Sequence, residues 1–466
     1  MPTRLLLSLV VLALLLAACQ DEAGPATTTP SPTSTAGVGT TTLPPTSAPP
    51  ETSAPDTTPD TTPDTTLPEG TEELPEQVRE ELAELVAASE EVRQLQFEEP
   101  PNVAVVTSEE LAARVRDQLA EDLEDLPADE ALYRLLGLVD DDTDLEALYT
   151  DLYSEQVAGF YDGEERELVV PRAEEGFTAL QRATLVHELT HALTDQHYGF
   201  HDHYSSLLDE DRYDEAAALQ ALIEGDAVLS ELLYLQGLSP EEQAEFFNES
   251  FGVDQEVFES APRFIRDALV FPYDSGFLFT ERLFQSGGFG SIADAYASPP
   301  VSTEQILDPE DYPADQPIAV EQETVTLDGY DLEYSSTWGE LGFALMFDQI
   351  LDTSISDTAA GGWGGDTYQV HFDGTEVVLV LKYRGDAASD GEELHSALVQ
   401  YVETGMDAGE SEDHQGGVAY RGDDSAWIWG DGAEVVFIAS SSPEALDPAV
   451  EQAGPAPPDS TTTSGG

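Results

Sequence analysis

The chain of 466 residues carries 95 acidic against 16 basic residues, a formal charge of −79, and a single cysteine. A surface this acidic repels nucleic acid and anionic lipid headgroups, so neither is expected as a partner. One thiol excludes an internal disulfide framework, and the length suits two or three domains once non-globular ends are set aside.

Residues 1–19, MPTRLLLSLVVLALLLAAC, join a short basic region at Arg4 to an apolar run that ends in small residues at Cys19. That pattern predicts a secretory signal rather than a spanning helix. The ending LAAC resembles a bacterial lipobox, which implies lipidation of Cys19 and anchoring at the extracytoplasmic face of the membrane. Residues 20–70 are rich in Thr, Pro, Ser and Asp, with the repeat PDTTPDTTPDTT. Such a composition buries no core and predicts a disordered, solvated linker, with an r.m.s. reach of roughly 40 Å.

Apolar residues at helical spacing (Val78, Leu82, Leu85, Val86) predict a helix between Glu72 and Leu95. NVAVVT (102–107) reads as a short strand, and Ser108 as the N-cap of a helix running to Leu123. Shorter helices follow near 132–136 and 145–153. QVAGFYDGEERELVV (156–170) predicts a hairpin turning at Asp162-Gly163, just before a helix over 178–197. An edge strand there suits main-chain bonding to an extended substrate, and equally a plain structural hairpin. Helices are expected over 213–236 and 240–297, the latter with breaks at Pro262, Pro272 and Gly287-Gly288. After a proline-rich connection (298–317) the texture becomes mixed, with helices near 340–351 and 392–402 and strands near 368–372, 376–383, 426–429 and 435–439. The expected fold class is α+β: a mainly helical unit with a small sheet over 71–325, a smaller α+β unit over 326–450, and a disordered tail over 451–466.

The helix over 178–197 carries ATLVHELTHALTDQH. Residues four apart share a helix face, so His187 and His191 can present ring nitrogens to one tetrahedral cation, with Glu188 about 100° round. This is the HExxH arrangement, in which two imidazoles hold zinc, zinc acidifies a water and the glutamate takes its proton. The opposite face (Leu185, Leu189, Ala192, Leu193) is apolar, so the motif is half buried. Buried histidines beside a glutamate are costly without a metal, and Zn2+ is the expected cofactor.

A catalytic zinc needs a third protein ligand. His197 completes the spacing of the longer HExxHxxGxxH pattern, but Thr194 stands where that pattern needs a glycine, and Met346 and Met406 offer no obvious methionine turn. In a continuing helix His197 lies roughly 90° or more off the ligand face. Glu224, in EAAALQALIEGDAVLSELLYL, is an acid on an apolar background, and Gly225 removes a side chain where two helices must approach. This favours Glu224, with His201 and His203 of the expected loop GFHDHY as alternatives.

HELTHA followed by ALIEGDA on a second helix resembles the gluzincin clan of zinc metallopeptidases. Together with EQVAGFYD, FPYDSG and PPVSTEQIL, it is similar to a group of exported bacterial proteins regarded as metallopeptidases, over about residues 95–385. The resemblance implies a zincin-like catalytic domain, zinc held by His187, His191 and Glu224, and hydrolysis of a peptide or protein substrate with Glu188 as general base. The thermolysin pattern puts an aspartate four residues after the glutamate ligand to brace a histidine, and here that position is Val228. Asp226 points elsewhere on a helix, so Asp195, one turn after His191, is the expected brace.

Two functional readings follow. The first is a membrane-tethered zinc metallopeptidase, with Tyr273, His201 or His203 as candidate oxyanion donor. The second is a non-catalytic, surface-anchored binding or adhesion module that keeps the fold and uses GGWGGDTY (361–368) as a recognition loop; otherwise Trp363 caps the core of the second unit. An intact Glu188 favours the first, because a purely structural zinc has no use for it.

Overall fold

The computed structural model describes residues 70–72, 74–122, 126–154, 159–253, 255–406 and 408–455. The expected signal segment, Cys19, almost all of the linker, and residues 456–466 of the expected tail lie outside the described residues.

The spacing of Val78, Leu82 and Leu85 becomes α1 (Glu76–Arg93), followed by β1 (Asn102–Val106), α2 (Ser108–Asp122), α3 (Leu126–Leu135) and α4 (Leu145–Ser154). The cap of α2 is Thr107, not Ser108. Thr107 Oγ1 accepts the Glu110 N–H, and the Glu110 carboxylate accepts the Thr107 N–H, a reciprocal box. β2 (Phe160–Asp162) and β3 (Glu167–Pro171) form the hairpin, but Asp162 stays in register with Glu167 and the connection is 163–166. The Asp162 carboxylate closes that turn by accepting the Glu165 N–H. Because β1 pairs parallel with β3, the order β1-β3-β2 leaves β2 as an edge.

The helical region continues with α5 (Ala179–Tyr198), α6 (Phe200–Asp209), α7 (Tyr213–Gly237), α8 (Pro240–Ser250), α9 (Glu256–Ser260), α10 (Arg263–Gly287), α11 (Phe289–Ala297) and α12 (Glu304–Leu307). Two expectations change. GFHDHY is not a loop: Gly199, at φ 62°, ends α5 and α6 starts at once. Pro272 does not break its helix either, and α10 runs through it. The hydrogen bond that proline removes is outweighed by packing on α7, where Gly225 and Gly276 meet backbone to backbone. A Cβ at 225 would lie 2.0 Å from Gly276 O, and one at 276 would lie 2.1 Å from Ala221 O. Gly225 therefore serves the approach of α10 rather than that of the HExxH helix.

The remainder comprises β4 (Asp331–Ser336), α13 (Gly339–Phe347), α14 (Thr353–Ala360), β5 (Trp363–Phe372), β6 (Val377–Gly385), α15 (Ala388–Gly405), β7 (Glu410–His414), β8 (Gly417–Arg421), β9 (Ser425–Asp431), β10 (Glu434–Ser440) and α16 (Pro443–Ala453). Antiparallel pairing orders the strands β4-β5-β6-β10-β9-β8-β7. Both edges are acidic, with Asp331 and Glu333 exposed on β4 and Glu410, Glu412 and Asp413 on β7. Period-two alternation gives the sheet two apolar faces. Val378, Val380, Trp427 and Ile438 pack with Leu446 and Val450 of α16. Leu379, Leu381, Ile428 and Phe437 pack with Leu394, Leu398 and Tyr401 of α15, in a core continuous with that of the helical region. Tyr334 of β4 donates across this junction to Asp129 of α3.

The architecture is thus α+β, a helical region followed by a sheet region. β4, β7, β8, α14 and α16 add to the expected elements, and α16 extends to Ala453, inside the span expected as tail. Trp363 is 1% exposed at the start of β5, and its indole N–H donates to Asp366 at 2.7 Å. GGWGGDTY is therefore core from Trp363 onward, not an exposed recognition loop. Among the described residues no helix is long and apolar enough to cross a membrane.

Candidate metal centre

α5 carries a polar stripe through the interior. Thr178 caps its start in a reciprocal box with Gln181, and Gly199 returns its N–H to Asp195 O at the other end. The hydroxyls of Thr190 and Thr194 donate to the carbonyls of Val186 and Thr190 at 2.8 and 2.7 Å. These bonds satisfy the threonines within the helix. His187, Glu188 and His191, none more than 1% exposed, need partners from other elements.

α7 supplies two of them. Glu224 Oε2 lies 3.1 Å from His187 Nε2 and 3.4 Å from His191 Nε2, and the two rings stand 4.7 Å apart between centroids at 81°. Glu231 is two helical turns further on, hence on the same face of α7, and its Oε2 lies 3.5 Å from His187 Nδ1. Glu188 instead meets the hairpin: its Oε2 accepts the Tyr161 N–H of β2 at 2.8 Å.

The electrostatics follow from burial. Burial raises Glu188 to about 7, although both imidazoles pull it down. Burial alone would lower His187, but the carboxylates of Glu224 and Glu231 beside it outweigh this and raise it. Burial would raise Glu224, yet the two imidazoles hold it below the ordinary carboxylate range. Within this enclosed set, His187 Nδ1, Glu188 Oε1, Glu224 Oε1, both nitrogens of His191 and both carboxylate oxygens of Glu231 have no hydrogen-bond partner. Buried polar groups in that condition call for an explanation. Two imidazoles and a carboxylate with unmet capacity fit a borderline divalent cation such as zinc. His187, Glu188 and His191 bring ligand atoms within 4.8 Å of one another.

A family model described as Domain of unknown function (DUF8575) matches residues 326–449. No curated protein and no solved structure matches the chain. The matched span is the sheet region, from just before β4 into α16, and leaves His187, Glu188, His191 and Glu224 outside it.

The remaining candidates separate. Asp195 braces no histidine: its Oδ2 accepts the Tyr161 hydroxyl at 2.8 Å and its Oδ1 the His201 N–H at 3.0 Å. It faces the hairpin, whereas the two histidines meet α7. His197 is carried outward as α5 continues past Thr194, and its Nε2 lies 2.8 Å from Gln96 O. Of the three oxyanion-donor candidates, Tyr273 of α10 borders the centre, buried and stacked 6.3 Å from the His187 ring. The His201 ring instead lies against Gly163 of the hairpin turn, and His203 is exposed on α6.

Sequence reasoning missed Glu231, for which the signal was the seven-residue spacing from Glu224 on a helix apolar all round. It also missed the buried pair of Arg93 and Asp226, 2.9 Å apart and 1% and 0% exposed. Asp226 thus pairs with the last turn of α1. For Arg93 the only signal was the scarcity of basic residues.

Proposed function

We propose that this protein is a zinc-dependent peptidase held at the extracytoplasmic face of a membrane through Cys19. The observation that carries the reading is the approach of Glu224 to both Nε2 atoms, which unites HELTHA and ALIEGDA in one donor set. His187, His191 and Glu224 would hold the ion. When bound, zinc supplies Lewis acidity toward water and a scissile carbonyl. Glu188 is anchored through one carboxylate oxygen to the Tyr161 N–H, and its other oxygen has no partner and can take a proton. Glu231 Oε2, 3.5 Å from His187 Nδ1, would accept the proton there on a small closing of the gap and so select the tautomer whose Nε2 carries the lone pair. Edge strand β2 lies beside Glu188 and suits an extended peptide. A cavity of about 450 Å³ lined by Tyr161, Arg166, Ala192 and Gln196 borders the same hairpin and helix. Since Glu188 is wholly buried, a peptide reaches it only when neighbouring elements part.

The test uses zinc-loaded full-length protein and an unfolded protein as substrate. Glu188→Gln is expected to keep its zinc and lose hydrolysis by about 10²-fold or more. Glu224→Ala should lose most of the metal, while His197→Ala stays at about one equivalent. Wild-type rates in Glu188→Gln, or full zinc in Glu224→Ala, would overturn the assignment. Zinc-loaded wild type that hydrolyses nothing would favour the binding module. Cys19→Ser should free the protein from membranes, and unchanged retention would remove the tether.

A further inference from the structure

The junction between the helical and sheet regions holds a second cluster of ligand-type side chains, with no residue in common with the zinc donor set. Glu304 opens α12, Asp315 follows in the connection from α12 toward β4, and Asp386 follows β6. Their carboxylate oxygens lie within 4.8 Å of one another, with Glu304 buried, Asp315 half-buried and Asp386 exposed. The observation that singles the cluster out is Glu304. The residue is 6% exposed, and its carboxylate converges with two others. Among the described residues no hydrogen-bond donor or basic side chain meets it. Burial, then Glu340, Asp315, Asp386 and Asp311, all oppose its charge. A buried carboxylate is ordinarily paired, bonded or coordinated to a metal.

The backbone around the cluster is fixed. Ile318 N–H donates to Gly364 O at 2.5 Å, and Asp386 N–H to Gly362 O at 3.2 Å. The Gln305 side chain donates to the carbonyl of Asp315. Gly364 leaves room for Asp386, since a Cβ there would lie 2.9 Å from Asp386 Oδ1.

We infer that Glu304, Asp315 and Asp386 form a binding site for a hard divalent cation, calcium by preference, that clamps the connection after α12 to the sheet. Oxygens bound to one calcium at about 2.4 Å lie up to about 4.8 Å apart across the ion, and the three carboxylates here bring oxygens within that limit of one another. An all-carboxylate set without nitrogen or sulfur disfavours zinc. One buried, one intermediate and one exposed ligand leave a solvent-facing side for water to complete six to eight positions, which calcium accepts more readily than magnesium.

The test is calcium titration of the full-length, metal-stripped protein by calorimetry, with thermal unfolding at constant ionic strength. Wild type is expected to bind about one calcium at or below about 1 mM, and its midpoint to rise by at least about 3 °C at saturation. Glu304→Gln and, separately, the exposed Asp386→Asn should bind calcium at least tenfold more weakly, and the surface change Asp141→Asn should match wild type. In chelator Glu304→Gln should melt no lower than wild type, because an unpaired buried charge is removed. This outcome separates a cation ligand from a carboxylate that merely packs. Zinc content should be unchanged in every variant, so the result is independent of the peptidase assignment. Equal calcium gains in wild type and both site variants, or equal gains from calcium and potassium chloride at matched ionic strength, would overturn the inference.

Discussion

Glu231 Oε2 sits 3.5 Å from Nδ1 of His187 while Glu224, on the same helix, approaches Nε2 of that ring. One helix therefore addresses both nitrogens of one imidazole. Glu231→Gln is expected to weaken zinc binding by about 10- to 100-fold, the usual effect of losing a carboxylate behind a ligating histidine. Asp195→Asn should leave zinc affinity within about threefold of wild type, because Asp195 holds Tyr161 and the start of α6. Competition titration against a chromogenic chelator measures both. Equal losses in the two variants would return Asp195 to the bracing role.

The contact of α7 with α10 leaves no room for one methyl group. Gly276→Ala places a Cβ 2.1 Å from the Ala221 carbonyl, and the helices must separate. The expected loss is about 3 kcal/mol or more in denaturant unfolding. Gly237→Ala, at the end of α7 with nothing within 4 Å of the added carbon, should be neutral or stabilising by about 0.5 kcal/mol. Similar behaviour of the two variants would remove the close approach as the reason for Gly276.

Asp366 offers a pH signature. It accepts from the Trp338 and Gly339 N–H groups and from the Trp363 indole at 2.7, 2.9 and 2.7 Å, yet burial still raises it from 3.8 to about 6. A folded-state value above the unfolded one means that the folded chain binds the proton more tightly. The associated stability is complete below about pH 4 and is lost as pH rises through about 6. The unfolding free energy of wild type minus that of Asp366→Asn should therefore shrink by on the order of 3 kcal/mol between pH 4 and 7, then stay level. A difference that grows across that window would contradict the sign.

Local periodicity made much of this legible. The four-residue spacing of His187 and His191, the apolar background of Glu224 and the alternation in β6 and β10 are short-range patterns, and each maps onto one element. What escaped depends on which face meets which neighbour. Asp226 looks like any helical acid until Arg93, 133 residues earlier, is folded against it. Gly225 announced a close approach but not its partner. β7, with the sequence ESEDH, has no apolar alternation and owes its strand to pairing with β8. Pro272 reads as a break because proline removes a hydrogen bond, and only the packing of α10 on α7 shows why the helix tolerates it.

The two outer strands of the large sheet give the strong negative charge a definite use. An unpaired strand offers main-chain donors and acceptors to any similar strand, a ready template for edge-to-edge pairing. Here an approaching copy would have to bring Glu410, Glu412 and Asp413 of β7, or Asp331 and Glu333 of β4, against their own equivalents. Like charges set directly across a ladder oppose it. The acidity thus guards the molecule against self-association into ribbons, and the guard weakens wherever acid or concentrated salt neutralises or screens those edge carboxylates.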